Sequence, residues 1–341
     1  MRLAQLLPTL ATPAAGVATG SIATAETSTA PRRRLGQSDL RVFPLAIGGN
    51  VFGWTADSAS TNGILDEYAA HGGNFVDTAD SYAGGRSEIM IGNWMRARRN
   101  RSSMVVGTKI GKSPDHPGVT AREIPQAVAA SLLRLKTDYI DLLYLHIDDE
   151  SVPFEETLLA VDDLIRAGKV RYFGVSDHSA NRLIEARVIA AQLGVAPMVA
   201  LQNHYNLMHR GDFEGDLARV ADQQHLGVMP RFALASGFLT GKYRTKADLG
   251  SNERGGEAAS YLNKRGLRIL GVLDAVVAEQ HAAGNVDATV ANVSLAWLLT
   301  KPNIVAPVAS ASRPDQVVDL IGAATMRLGR SQLAALDRIS A

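Results

Sequence analysis

One pattern limits what this chain can fold into more than any other: short, nearly continuous apolar runs alternate about eight times with segments of helical period. The runs are Leu45–Ile47, Asn74–Asp77, Met104–Thr108, Tyr139–His146, Val170–Val175, Met198–Leu201, Gly227–Pro230 and Ile304–Val308. Between them lie Ala59–His71, Glu88–Arg98, Glu123–Leu135, Glu155–Ala167, Asn181–Leu193 and Leu267–His281, whose apolar residues recur at helical spacing. Strands apolar on both faces belong to parallel sheets covered by helices. Eight such units in roughly 300 residues predict a single α/β domain, a (β/α)8 TIM barrel, over residues 32–341. An open doubly wound sheet would call for Gly-x-Gly-x-x-Gly after an early strand, and the Gly48-Gly49 pair lacks the rest of that pattern. Ahead of the first run, Arg34-Leu35 and Arg41-Val42-Phe43 flank Gly36-Gln37-Ser38-Asp39, which predicts a short N-terminal β-hairpin.

Composition narrows the function. The 35 Lys+Arg and 34 Asp+Glu nearly cancel, so there is no basic stripe of the kind that neutralises nucleic-acid phosphates. With no Cys there is no disulfide, thiolate metal site or cysteine nucleophile, and no metal site is expected. No run approaches the ~18–20 apolar residues of a membrane span, which predicts a soluble chain with no membrane partner. Residues 11–31 are almost all Ala, Thr, Ser, Gly or Pro, so residues 1–31 are expected to form a flexible low-complexity tail. Ala23-Thr24-Ala25 could serve as a signal cleavage site, but Pro8 and Pro13 spoil the apolar region before it. A start placed too far upstream explains the segment equally well, and a cytoplasmic location is expected. Arg32-Arg33-Arg34 reads as a solvated edge of the first ordered element.

A barrel of this kind carries its reacting groups at the C-terminal ends of its strands. Asp77 ends the second run, with Tyr82 five residues on; Lys109 ends the third and His146 the fourth. Each alone is ordinary: a turn-forming Asp, a solvated Lys, an edge His. Together they put an acid, a phenol, an amine and an imidazole at one rim, which predicts a catalytic site.

That set, in that order, resembles the catalytic tetrad of the aldo-keto reductases. The resemblance runs from about Arg34 to Ile321 and takes in Gly174-Val175-Ser176, Leu201-Gln202-Asn203, the Leu234–Tyr243 segment, and Pro307–Ser312 with Gln316. It implies hydride transfer between a nicotinamide cofactor, NADP(H) ahead of NAD(H), and a small carbonyl or alcohol substrate, sugars included. Tyr82 would be the general acid/base, Lys109 would lower its pKa, Asp77 would pair with Lys109, and His146 would hold the substrate oxygen.

By the same resemblance Ser176, Asp177 and Gln202 hold the carboxamide, while Gly49 and Asn50 border the nicotinamide ribose near Asp77. Arg231, Phe232 and Ala233 lead into the pyrophosphate cover of Leu234, Ala235, Gly237, Leu239 and Lys242, with Arg254 as a clamp from the long 244–264 loop. Ser310, Ser312, Gln316 and Asp319 take the adenosine end, with Arg313 near a 2′-phosphate. Phe52, Trp54 and Asn203 line the substrate mouth.

Two positions depart from the family's pattern: Asp177 stands where Asn is usual, and Arg231 stands where an aromatic ring stacks on the nicotinamide. Their opposite charges predict an ion pair. The alternative function is a cofactor-binding regulatory subunit resembling potassium-channel β subunits, a branch that lacks the strand-four His present here as His146. The sequence leaves substrate identity and oligomeric state open.

Overall fold

A computed structural model describes residues 30–251 and 255–341. Most of the expected tail, and Arg254, lie outside the described residues; Ala30, assigned to the tail, is already buried. The hairpin pairs β1 (Arg33–Arg34) antiparallel with β2 (Arg41–Val42). The apolar runs then become the strands β3 (Ala46–Gly48), β4 (Phe75–Asp77), β5 (Val105–Ile110), β6 (Ile140–Leu145), β7 (Val170–Ser176), β8 (Ala200–His204), β9 (Gly227–Arg231) and β10 (Val308–Ala309). All pair in parallel in the order β10-β3-β4-β5-β6-β7-β8-β9, and a bridge between Val228 and Ile304 joins the two ends. This is a (β/α)8 barrel.

Helices α1 (Ser58–Ala70), α2 (Arg86–Arg98), α3 (Glu123–Leu135), α4 (Phe154–Arg166), α5 (Ala180–Leu193) and α6 (Asp216–Gln223) each follow a strand. The crossover from β9 to β10 holds α7 (Gly255–Ala258), α8 (Lys264–Ala282) and α9 (Val290–Leu299); α10 (Asp315–Gly322) and α11 (Arg330–Ser340) end the chain. Among the described residues no helix is long and apolar enough to cross a membrane. The 244–264 loop includes two 3-10 segments, Lys246–Ser251 and Ala259–Tyr261, besides α7.

The strand period of two decides what reaches the barrel axis. Ala46, Phe75, Val105, Leu142, Tyr144, Ala200 and Met229 form one buried cluster with Leu35, Leu40 and Val42 of the hairpin. The hairpin thus plugs the N-terminal mouth. Arg33, expected at a solvated edge, is half-buried and donates to the carbonyls of Leu299 and Ile304.

The plug depends on Gly36. It has φ +52°, and a Cβ there would sit 2.2 Å from the Val199 carbonyl oxygen and 2.9 Å from the Gly227 nitrogen. Gly36→Ala is expected to lower stability by about 2–3 kcal/mol, from left-handed strain plus overpacking. Urea denaturation checks this, and an unchanged midpoint would mean that the hairpin is not anchored by that turn.

Candidate active site

Continuing the same alternation to the C-terminal rim brings Asp77, Lys109, Gln202 and Arg231 inward from β4, β5, β8 and β9, with His146 just beyond β6. Lys109 and Asp77 are almost wholly buried, and their ion pair spans 2.5 Å. Lys109 Nζ also donates to the Thr78 carbonyl at 2.9 Å and to Tyr82 Oη at 3.3 Å. The second Asp77 oxygen accepts from Gln202 Nε2 at 2.8 Å, so the carboxylate is held on both sides. Tyr82 reaches this cluster from a tight turn over Tyr82–Gly85 and meets the His146 ring edge-on, with centroids 6.0 Å apart.

These contacts set the protonation states. Burial works against the Lys109 charge, but Asp77 and then Tyr82 outweigh it and raise its pKa above the ordinary value. Burial pushes the Tyr82 phenol up, and Lys109 offsets this only in part. Lys109 acts in the expected direction, lowering the Tyr82 pKa, but desolvation outweighs it and the phenol is held protonated. Burial, then the charges of Lys109, Lys112 and Arg231, bring His146 down to about 2, so its imidazole is neutral. Its Nδ1 is buried without a partner among the described residues.

The cluster forms one end of a cavity of about 780 Å³. Of the residues expected to bind cofactor, Asn50, Asp177, Gln202, Arg231, Phe232, Ala233, Leu234, Gly237, Lys242, Ser310, Ser312, Gln316 and Asp319 line it. The structure departs from expectation at several others. Gly48, not Gly49, forms the wall, because Gly48 pairs with Asp77 in register and faces inward, whereas Gly49 is backed by Ser87. Ala235 and Leu239 are fully buried in the core behind the loop. Phe52 is likewise buried in the core, since its ring gains more from apolar packing than from a wet rim. Trp54 is half exposed and off the cavity wall. Asn203 follows Gln202 by one residue and so takes the other face of β8. Ser176 is fully buried and does not line the cavity, and its Oγ has no partner among the described residues.

Asp177 and Arg231 do pair: Arg231 Nε donates to Asp177 Oδ1 at 2.9 Å, and both line the cavity beside Tyr82 and His146. At the far end Arg313 is bound at two points by Asp315, at 3.0 and 2.9 Å. Gln316 Oε1 accepts from the Ser312 nitrogen at 2.8 Å and from Ser312 Oγ, so Gln316 organises the turn before α10. Lys112 and Thr55, which sequence reasoning missed, also line the cavity. Lys112 lies only three residues past Lys109, so the strand-end rule extended by one turn finds it.

The cavity suits an elongated polar molecule. Ser176 Oγ is an orphaned buried hydroxyl beside Gln202, its partner in register, where a carboxamide could bond. Ala235, Ser236 and Gly237 run consecutively at φ 48°, 54° and 90°, and Ser236 and Gly237 share the wall with Lys242. Strained backbone of this kind collects at ligand sites, and a cation beside it fits a pyrophosphate. The residues present therefore fit a nicotinamide dinucleotide.

Comparison with known proteins agrees with the geometry. The sequence model described as aldo/keto reductase family matches residues 44–341. A probable voltage-gated potassium channel subunit beta of Arabidopsis thaliana is 34% identical over 290 residues, covering 84% of this chain and 88% of that one. An aryl-alcohol dehydrogenase of Pestalotiopsis microspora is 32% identical over 88% of this chain and 79% of its own. A norsolorinic acid reductase of Aspergillus flavus is 30% identical over 87% of this chain and 78% of its own.

Proposed function

The chain belongs to the aldo/keto reductase family, and on that premise we propose that it is an NADP(H)-dependent oxidoreductase interconverting a carbonyl compound and its alcohol, with Tyr82 as general acid/base. One observation carries this reading: a protonated phenol lies 3.3 Å from a buried ammonium and beside a neutral imidazole, at one end of a cavity with room for cofactor and substrate.

The bound nicotinamide would supply or accept hydride. Asp77 and Gln202 fix Lys109, and Lys109 fixes the Tyr82 hydroxyl by donating to its oxygen. That leaves the phenol proton free to move to a carbonyl oxygen as negative charge builds there. His146, neutral, donates a ring N–H to the same oxygen without competing for the proton. Its burial keeps water from that hydrogen bond. Ser176, Asp177 and Gln202 would orient the carboxamide, and Lys242 with the Ser236-Gly237 turn would hold the pyrophosphate. Arg313 would meet a 2′-phosphate, because its exposed pair with Asp315 is weak enough to exchange.

A regulatory, cofactor-binding role is the second reading, favoured by the similarity to plant channel β subunits. The intact set of Asp77, Tyr82, Lys109 and His146 supports the enzyme. Fluorescence titration with NADPH and NADH, followed by turnover on an aldehyde and sugar panel, separates the two. NADPH is expected to bind more tightly than NADH and to reduce at least one aldehyde. Absence of cofactor binding would overturn both readings, and binding without any turnover would leave the regulatory one.

A further inference from the structure

The catalytic end of the cavity is unbalanced in charge. Lys109 is neutralised by Asp77, Arg231 is engaged by Asp177, and His146 is uncharged. Lys112 remains. Among the described residues no carboxylate lies within ion-pair distance, 4.0 Å, of its Nζ. Partial burial lowers its pKa somewhat, Asp177 counters this, and Arg231 and Lys109 add to the lowering. Lys112 stands at the rim, still exposed, and its charge is felt by His146, the group that would hold the substrate oxygen. The cations suited to cofactor phosphates, Lys242 and Arg313, line the same cavity, and neither is among the charges that act on Lys112 or His146.

We propose that Lys112 is the anion-recognising residue of the substrate subsite, and that the substrate is an aldehyde or ketone carrying a carboxylate; this deepens the oxidoreductase reading and rests on it. A cation at the mouth of a low-dielectric cleft concentrates anions there, and substrate covering the cleft strengthens the contact by excluding water. Charge count selects the carboxylate over a phosphate monoester. One uncompensated ammonium matches one negative charge, whereas a dianion would also have to draw Arg231 away from Asp177.

The test compares kcat/KM for 4-carboxybenzaldehyde and benzaldehyde, and for glyceraldehyde 3-phosphate and glyceraldehyde, in the wild type, Lys112→Gln and Lys112→Glu. The wild type is expected to favour the carboxylated aldehyde by about ten-fold at low salt, less at high salt. Lys112→Gln should bring that ratio close to one, and Lys112→Glu should invert it. A wild-type ratio at or below one, or the same ratio in Lys112→Gln, overturns the proposal. A larger preference within the phosphate pair than within the carboxylate pair also overturns it, in favour of a phosphorylated substrate. If no aldehyde turns over, the oxidoreductase reading fails separately, and calorimetric titration with benzoate decides the subsite: binding lost in Lys112→Gln supports it, and no binding to the wild type overturns it.

Discussion

Tyr82→Phe is expected to lower kcat/KM for carbonyl reduction by about 10²–10⁴-fold, the usual worth of a positioned general acid, while NADPH affinity stays nearly unchanged. The ring would remain against His146 and only the transferable proton would be lost. The wild-type pH profile should carry the same signature. Burial holds the phenol above its ordinary pKa despite Lys109, so the donor form persists through neutral pH. Reduction should therefore decline only as the pH rises through that raised value. Alcohol oxidation needs the deprotonated form and should increase over the same range. Steady-state kinetics in both directions decide the matter, and a Tyr82→Phe enzyme keeping more than about a tenth of wild-type reductase activity would remove Tyr82 from the acid role.

The barrel was legible because parallel strands buried on both faces must be written in apolar residues, and Met104–Thr108 or Tyr139–His146 can hardly be anything else. Helix α9 was not legible. Its sequence Val-Ala-Asn-Val-Ser-Leu-Ala-Trp-Leu-Leu is buried almost throughout, so it lacks the polar face that marks a helix by period. The site divides along the same physical line. Asp77, Lys109, Gln202 and Arg231 are aimed by strand alternation, which sequence specifies residue by residue. Strand parity would also have exchanged Gly49 for Gly48 and set Asn203 aside. Phe52 and Trp54 are aimed by loops, where one turn redirects a side chain and no period announces it. The Tyr82 pKa escaped for another reason: the sequence names the charged neighbour but not how deeply both groups are buried, and here burial decides the sign.

The pairing of Asp177 with Arg231 shows how two departures from a family pattern can be one substitution in physical terms. In the proposed cofactor pose, Arg231 alone would put an uncompensated cation beside a positively charged oxidised nicotinamide. In the same proposed pose, Asp177 alone would offer the carboxamide oxygen a carboxylate that cannot donate to it. Joined at 2.9 Å, they present a planar guanidinium whose charge is met locally.

Lys109→Met should be the most damaging single change to stability in this site, costing about 3–5 kcal/mol, because it strands the Asp77 carboxylate in the barrel with only Gln202 to answer it. A loss of that size lowers the melting temperature of a large domain by roughly 10 °C. The pair itself is a different matter. Two charges were taken out of water to form it, so its net worth is far smaller than the cost of breaking it. The double variant Asp77→Asn/Lys109→Met should therefore melt well above Lys109→Met, although it has lost more of the wild-type contacts. Both variants should be inactive as reductases, since neither can hold the Tyr82 hydroxyl at its oxygen. Thermal melts of the two single variants and the double variant form the cycle that isolates this term. If the double variant melts no higher than Lys109→Met, the stranded carboxylate is not the source of the loss, and Lys109 stabilises the barrel mainly through its buried methylene stem and its bond to the Thr78 carbonyl.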